Sequence, residues 1–180
     1  MNLENKIKKL GGVEIIPTFE PLKDNSFDIN RYLENNKLKL SEDYITFSIL
    51  CGYSEFINDI VVKSVERISV GYEDGTIRVS FIYGWGKGEE SLQNTRESLL
   101  DQIGRKYFVF AEGNPGDYFL INMLKGDIYY YSHDSLPINS LYLVAHNFED
   151  FIDRLQINVN VTDDDDDDDY DSEEWFADDF

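Results

Sequence analysis

Short strand-like runs separated by tight turns constrain this chain more than any other feature of its sequence. In the second half, aromatic and β-branched residues dominate four such runs, at 107–111, 118–122, 128–131 and 141–145. Gly113-Asn114-Pro115-Gly116 separates the first two runs, and a turn with Lys125-Gly126 precedes the third. Parallel neighbours would need about a dozen residues of crossover, whereas turns of this length join antiparallel strands. The chain therefore predicts a mainly antiparallel sheet.

Three more strands are predicted earlier in the chain, at 59–63, 67–72 and 76–83. Asp74-Gly75 forms a turn between the last two. Their side chains again include many β-branched and aromatic residues, which suit a pleated and half-buried surface. We therefore expect these strands to join the same kind of antiparallel arrangement.

Amphipathic helices are predicted at both ends of the folded part and between the two groups of strands. The clearest begins after the N-cap Asn147 and repeats apolar residues at helical spacing: Phe148, Phe151, Ile152 and Leu155. Two others run from Ser41 to Gly52, with Gly52 expected in a left-handed conformation, and from Ser91 to Gly104. Shorter helices are predicted at 3–10 and 29–36. The predicted fold class is α+β, a single domain in which helices flank a mainly antiparallel sheet.

Acidic residues are concentrated at the C-terminal end. The 180 residues include 36 Asp and Glu against 16 Lys and Arg, which gives a formal net charge of −20. Residues 163–180 contain 12 of these acids and no base. Neighbouring like charges repel one another, so no compact structure is expected there. The predicted organisation is a folded domain at 1–160 and an acidic disordered tail at 161–180.

Composition and hydropathy exclude several classes of protein. A single cysteine, Cys51, and two histidines provide neither a disulfide framework nor a structural zinc site. No run of about 18 apolar residues could span a membrane, and residues 1–17 lack the apolar core of a signal peptide. We therefore expect a cytoplasmic protein. Its charge disfavours direct binding to nucleic acid or an anionic membrane, and the sequence leaves its oligomeric state open.

The motifs that could carry catalysis are all incomplete. Gly84-Trp85-Gly86-Lys87-Gly88 lacks the hydroxyl residue and the following helix of a phosphate loop, so we interpret it as a turn. Ser132-His133-Asp134-Ser135 contains the residue types of a nucleophilic relay, but adjacent side chains point to different sides. The acidic run lacks the glycine of a calcium loop. We therefore expect a protein that is not an enzyme, with no catalytic residue, cofactor or defined metal site.

An ordered series of motifs in the second half resembles a known family. The segments concerned are 107–112, 116–121, 126–134 and 145–151. Their order is similar to that of the SUKH superfamily, in particular the branch named after the fungal regulator of cell-wall assembly and glucan synthesis. In that pattern a strand ending in Ala-Glu leads to a Gly-Asp-Tyr strand, a Tyr-rich strand ending in His-Asp, and a Phe-Glu-x-Phe helix. The resemblance implies mainly structural roles for seven motif residues: Gly116, Asp117, Tyr118, Tyr130, Asp134, Phe148 and Phe151.

The resemblance also implies a function based on protein binding rather than catalysis. Bacterial members of the family resemble immunity proteins. The expected function is therefore to bind a cognate protein toxin and neutralise it by occluding its active site, a basic nuclease being one class of toxin that an acidic protein would suit. The alternative is a regulatory protein-interaction scaffold like the fungal relatives.

The residues expected to contact a partner lie in the tail and in the glycine-rich turn. Trp85 is either a sheet-edge residue or a partner anchor, and the tail contributes Asp163, Asp165, Asp167, Asp169, Tyr170, Trp175 and Phe176. Aromatic anchors among charges suit a segment that folds on binding. The other interpretation of the tail is that it only increases solubility.

Overall fold

The computed structural model describes residues 3–19, 26–135 and 140–159. The helices in these ranges are α1 Leu3–Lys9, α2 Ile29–Asn35, α3 Glu42–Cys51, α4 Leu92–Ile103 and α5 Phe148–Arg154. The strands are β1 Val13–Ile15, β2 Ser54–Phe56, β3 Ile60–Lys63, β4 Thr76–Arg78, β5 Phe81–Ile82, β6 Tyr107–Glu112, β7 Tyr118–Asn122, β8 Ile128–Tyr131, β9 Leu141–Ala145 and β10 Leu155–Ile157. The acidic tail at 161–180, including every tail residue predicted to bind a partner, lies outside the described residues.

Two antiparallel sheets organise the strands. The larger has seven strands in the order β1-β2-β5-β6-β7-β8-β9, and the smaller has three in the order β10-β3-β4. Consecutive strands β6 to β9 pair with one another, and the short turns between β6, β7 and β8 predicted this for the first three. The predicted α+β fold class and mainly antiparallel sheet are therefore confirmed.

Helix starts follow the capping residues that the sequence contains. The Oγ atom of Ser41 accepts a hydrogen bond from the Tyr44 N–H at 3.3 Å, and Oδ1 of Asn147 accepts one from the Asp150 N–H at 2.8 Å. Each cap satisfies a backbone donor that has no partner inside its helix. All five predicted helices are confirmed within about one residue at each end.

Gly52 corrects one prediction about helix α3. Its φ is −62°, so it is not left-handed, and the positive φ of 64° belongs to Tyr53 instead. A Cβ atom on Gly52 would lie 2.6 Å from the Ser48 carbonyl oxygen and 2.8 Å from the Gly84 Cα. The position therefore needs glycine because another backbone segment approaches closely, not because of its φ angle.

Two strand predictions are wrong in detail. Residues 67–72 form no strand; the preceding Val65 and Glu66 instead donate backbone hydrogen bonds to the β9 carbonyls. The predicted strand 76–83 is split between the two sheets as β4 and β5, because Val79 donates to β3 while Ser80 donates to β6. Because the pairing strand changes within two residues, the hydropathy pattern of the sequence does not reveal where the predicted strand divides.

The helices pack on one face of the large sheet. Tyr44 of α3 and Phe148 and Phe151 of α5 make edge-to-face contacts with Phe110 of β6, with ring centroids 5.2–5.8 Å apart. On the same face, Arg96 of α4 lies over the Phe108 ring. These rings are almost fully buried, and such aromatic contacts add to the hydrophobic stabilisation of the core. None of the described helices is long and apolar enough to cross a membrane.

Candidate protein-interaction surface

The opposite face of the large sheet carries a row of half-buried side chains. In the strand register, each residue of the row lies directly opposite the next one on the neighbouring strand. The row is Phe81, Glu112, Tyr118, Tyr131 and Leu141. Directly paired residues project from the same face of a sheet. The row therefore crosses five strands, and all five of its side chains are partly exposed.

More aromatic rings adjoin this row. The Tyr83 ring lies 5.0 Å from that of Phe81 and 6.5 Å from that of Tyr118, and the Tyr107 ring lies 5.7 Å from that of Tyr129. We call the set Phe81, Tyr83, Tyr107, Tyr118, Tyr129 and Tyr131 the tyrosine face. Tyr83 and Tyr107 are buried and support the other four rings, which are partly exposed. Rings that contact one another lose little conformational freedom on binding, and tyrosine is enriched in protein interfaces.

Carboxylates surround the rings of the tyrosine face. Oε2 of Glu112 accepts a hydrogen bond from the Tyr83 hydroxyl at 3.4 Å. Burial raises the pKa of Tyr118, and the nearby carboxylates of Glu112 and Asp117 raise it further. Burial likewise raises the pKa of Tyr129, with Asp127 adding to the effect. The hydroxyl groups therefore remain protonated at neutral pH and lie in a region of negative potential.

Four family-motif residues, Gly116, Asp117, Tyr130 and Asp134, meet at the end of the large sheet where strand β7 begins and strand β8 ends, around the buried carboxylate of Asp117. Oδ2 of Asp117 accepts the Tyr130 hydroxyl at 2.9 Å, and Oδ1 accepts the His133 backbone N–H at 2.9 Å. The ring of His133 lies between two carboxylates, with Nδ1 2.9 Å from Asp117 and Nε2 3.1 Å from Asp134. Asp117 thereby joins strand β8 to the loop that follows it.

Two further features support this arrangement. The hydrogen bond with Asp117, followed by the charge of Asp134, raises the pKa of His133. Gly116 has a φ of +83°, and a Cβ atom there would lie 3.0 Å from Nδ1 of His133. The motif Gly116-Asp117 thus combines a left-handed backbone with room for the histidine ring.

Trp85 lies in the core, which corrects its prediction as a partner anchor. Only 5% of its surface is exposed, and its Nε1–H donates to Ser48 Oγ at 2.9 Å. Its ring stacks on Phe27 with a centroid separation of 5.5 Å and lies 6.1 Å from Phe108. The glycine-rich turn therefore directs its tryptophan inward, where it cannot contact a partner.

The other motif residues divide between core and surface. Tyr130, Phe148 and Phe151 are buried, and Asp134 is exposed beside His133. Tyr118 belongs to the tyrosine face as well as to the motif. The partly exposed positions of Tyr129 and Tyr131 were not predicted, although their alternation with buried Ile128 and Tyr130 was the available signal.

The fold and this surface together define a class: an α+β domain with helices on one sheet face and a tyrosine-rich, acid-bordered second face. A family model of the SMI1 / KNR4 family (SUKH-1) matches residues 25–154, and the chain belongs to this family. No curated protein and no solved structure matches the chain. In the ranges 3–19, 26–135 and 140–159, no group of three metal-ligating side chains is placed to hold a metal ion.

Proposed function

We propose that this protein is an immunity protein that binds a cognate toxin domain in the cytoplasm and neutralises it by covering its active site. The observation that carries the proposal is the tyrosine face, where Tyr118 and Tyr131 are partly exposed on the sheet face opposite helices α3 and α5. Membership of the SUKH family supports it, because the resemblance to that family implies an immunity role. Binding through a rigid sheet requires no catalytic group in this chain.

The negative net charge of this protein supports a partner with a basic surface. The formal net charge of −20 attracts a positively charged surface at long range. Such steering raises association rates by about ten- to a thousand-fold at low salt. Toxins that act on nucleic acid need a basic substrate groove, so a nuclease is the toxin class that this charge suits best. Covering that groove would exclude the substrate.

The experiment is a protection assay in the native genetic context. The reading frame beside the gene for this chain is expressed from an inducible promoter, with or without the chain. The proposal predicts growth arrest by the neighbouring product alone and restored growth when both are present. A chain carrying Phe110→Asp, a charge in the core, serves as an unfolded control.

The opposite results favour the regulatory alternative. If the neighbouring product is harmless, or if the chain gives no protection, the immunity proposal is wrong. Recovery of a kinase or a wall-synthesis protein as the stable partner would instead support a regulatory scaffold. The two functions are therefore distinguished by what the partner does to a cell.

A further inference from the structure

We propose that the tyrosine face binds an arginine-rich segment of the partner protein, with guanidinium groups stacked on Tyr118 and Tyr131 and paired with the carboxylate of Glu112. This inference rests on the proposed function for the identity of the partner as a toxin. The binding chemistry itself follows from the surface and is tested separately below.

The positions of the rings fit planar cations. Tyr118 and Tyr131 are direct cross-strand partners, so their side chains lie side by side on the face. Glu112 is paired with Tyr118 from the other side, which places a carboxylate next to the Tyr118 ring. A guanidinium group stacks on an aromatic ring and pairs with a carboxylate through its N–H fork, whereas an ammonium group offers only a point charge.

The protein already places cations over its own aromatic rings. Nζ of Lys106 lies 4.9 Å from the centroid of the Tyr107 ring, which belongs to the tyrosine face. On the opposite face, the guanidinium of Arg96 lies 6.0 Å from the centroid of Phe108. Both distances are within the range of cation–π attraction. An arginine from a partner would repeat at Tyr118 and Tyr131 a contact that the sheet makes at Tyr107.

The negative charge around the tyrosine face favours a basic protein segment over nucleic acid or a second copy of this chain. Carboxylates lie beside these rings: Glu112 is paired with Tyr118 and its Oε2 accepts the Tyr83 hydroxyl. Oε2 of Glu66 accepts the N–H of Leu143, the strand partner of Tyr129, while Lys106 adds a cation over Tyr107. Nucleic acid would bring phosphates against these acids. A second copy of the chain would bring the same acids against one another. A basic protein segment is the occupant that this potential attracts.

The test uses the full chain and a defined probe, a twelve-residue peptide of alternating Arg and Gly. Tyrosine-ring NMR signals are followed during titration, with a Glu-Gly peptide of the same length as the charge control. We expect saturable shifts of the Tyr118 and Tyr131 rings with the Arg peptide alone. Shifts confined to residues 161–180 would overturn the inference, because the peptide would then bind only the acidic tail.

Substitutions in the tyrosine face test which side chains contribute to binding of the Arg peptide. The double variant Tyr118→Leu/Tyr131→Leu keeps apolar cover over the sheet but removes both rings, and we expect about ten-fold weaker peptide binding. Tyr72→Leu is the matched control, since Tyr72 is exposed in a turn beside the small sheet. If the double variant does not fold, Glu112→Gln keeps a hydrogen-bond acceptor and is expected to weaken binding a few-fold. Wild-type affinity in the folded ring variant, or in Glu112→Gln, would overturn the inference.

Two further outcomes would also overturn it. A single-stranded oligonucleotide that shifts the same rings would assign the face to nucleic acid. Concentration-dependent dimerisation that the double variant abolishes would assign it to a second copy of the chain.

The protection assay separates this inference from the proposed function. If wild type and Tyr72→Leu protect cells but the folded double variant does not, both are supported. If all three protect equally, the function stands and the assigned surface is wrong. If none protects, the proposed function fails, and the peptide titration alone decides whether the face binds arginine-rich segments.

Discussion

The hydrogen bond between Tyr130 and Asp117 should be a major source of stability. The Tyr130 ring is fully buried, and its hydroxyl donates to the Asp117 carboxylate at 2.9 Å. Tyr130→Phe removes only this hydroxyl and leaves one carboxylate oxygen without its donor. Hydrogen bonds to charged groups contribute about 1.5–3 kcal/mol. Because His133 still bonds the other oxygen, we expect a loss of about 2 kcal/mol in the free energy of unfolding.

The assay is urea unfolding with thermal melting, with Tyr72→Phe as the control. A loss of this size lowers the melting temperature by about 4–8 °C in a chain of this length. The same change at exposed Tyr72 should alter stability by less than about 0.5 kcal/mol. Equal effects in Tyr130→Phe and Tyr72→Phe would refute the role assigned to the Asp117 carboxylate.

Three further changes test other parts of the structure. Gly52→Ala should lower the free energy of unfolding by about 1–3 kcal/mol, because its Cβ would meet backbone atoms within 3 Å. Gly75→Ala, with no atom near the Cβ but a φ of +79°, should show only the backbone strain of about 1 kcal/mol in the same urea titration. Stabilisation by His133, whose pKa Asp117 raises, is complete below the unfolded pKa near 6.5 and is lost as pH rises through the folded value. His133→Gln should therefore remove a fall in wild-type stability that begins above the unfolded pKa of 6.5, seen in melting curves; an unchanged pH profile would contradict this. Trp85→Phe should cost about 1 kcal/mol through its lost N–H donor and leave peptide binding unchanged, whereas weakened binding would contradict its burial.

Local signals explain why the helices and most strands were predictable. Cap residues such as Ser41 and Asn147 and the short turns between β6, β7 and β8 act within a few residues, so they are visible in the sequence. Strands β1, β2 and β10 have three residues each, which is too short for a periodicity. Each of them pairs with a strand that is distant in the sequence, and no residue pattern near these strands indicates which strand that is.

The candidate site was harder to predict than the fold. Trp85 lies between glycines, a setting typical of an exposed turn, yet its ring packs on Phe27, 58 positions earlier. The tyrosine face depends on the register between strands β5 to β8, which brings Phe81, Tyr118 and Tyr131 into one row. Alternation in β8 indicated which side each tyrosine takes, but only the assembled sheet shows that four strands contribute to the face.

Inhibition of the purified product of the neighbouring reading frame tests the central proposal most directly. The rate of its reaction is measured as this protein is added at increasing concentration and at two salt concentrations. We expect complete inhibition at an equimolar ratio, with faster association at the lower salt concentration. A reaction rate that stays unchanged at a large excess of this protein would refute the immunity proposal.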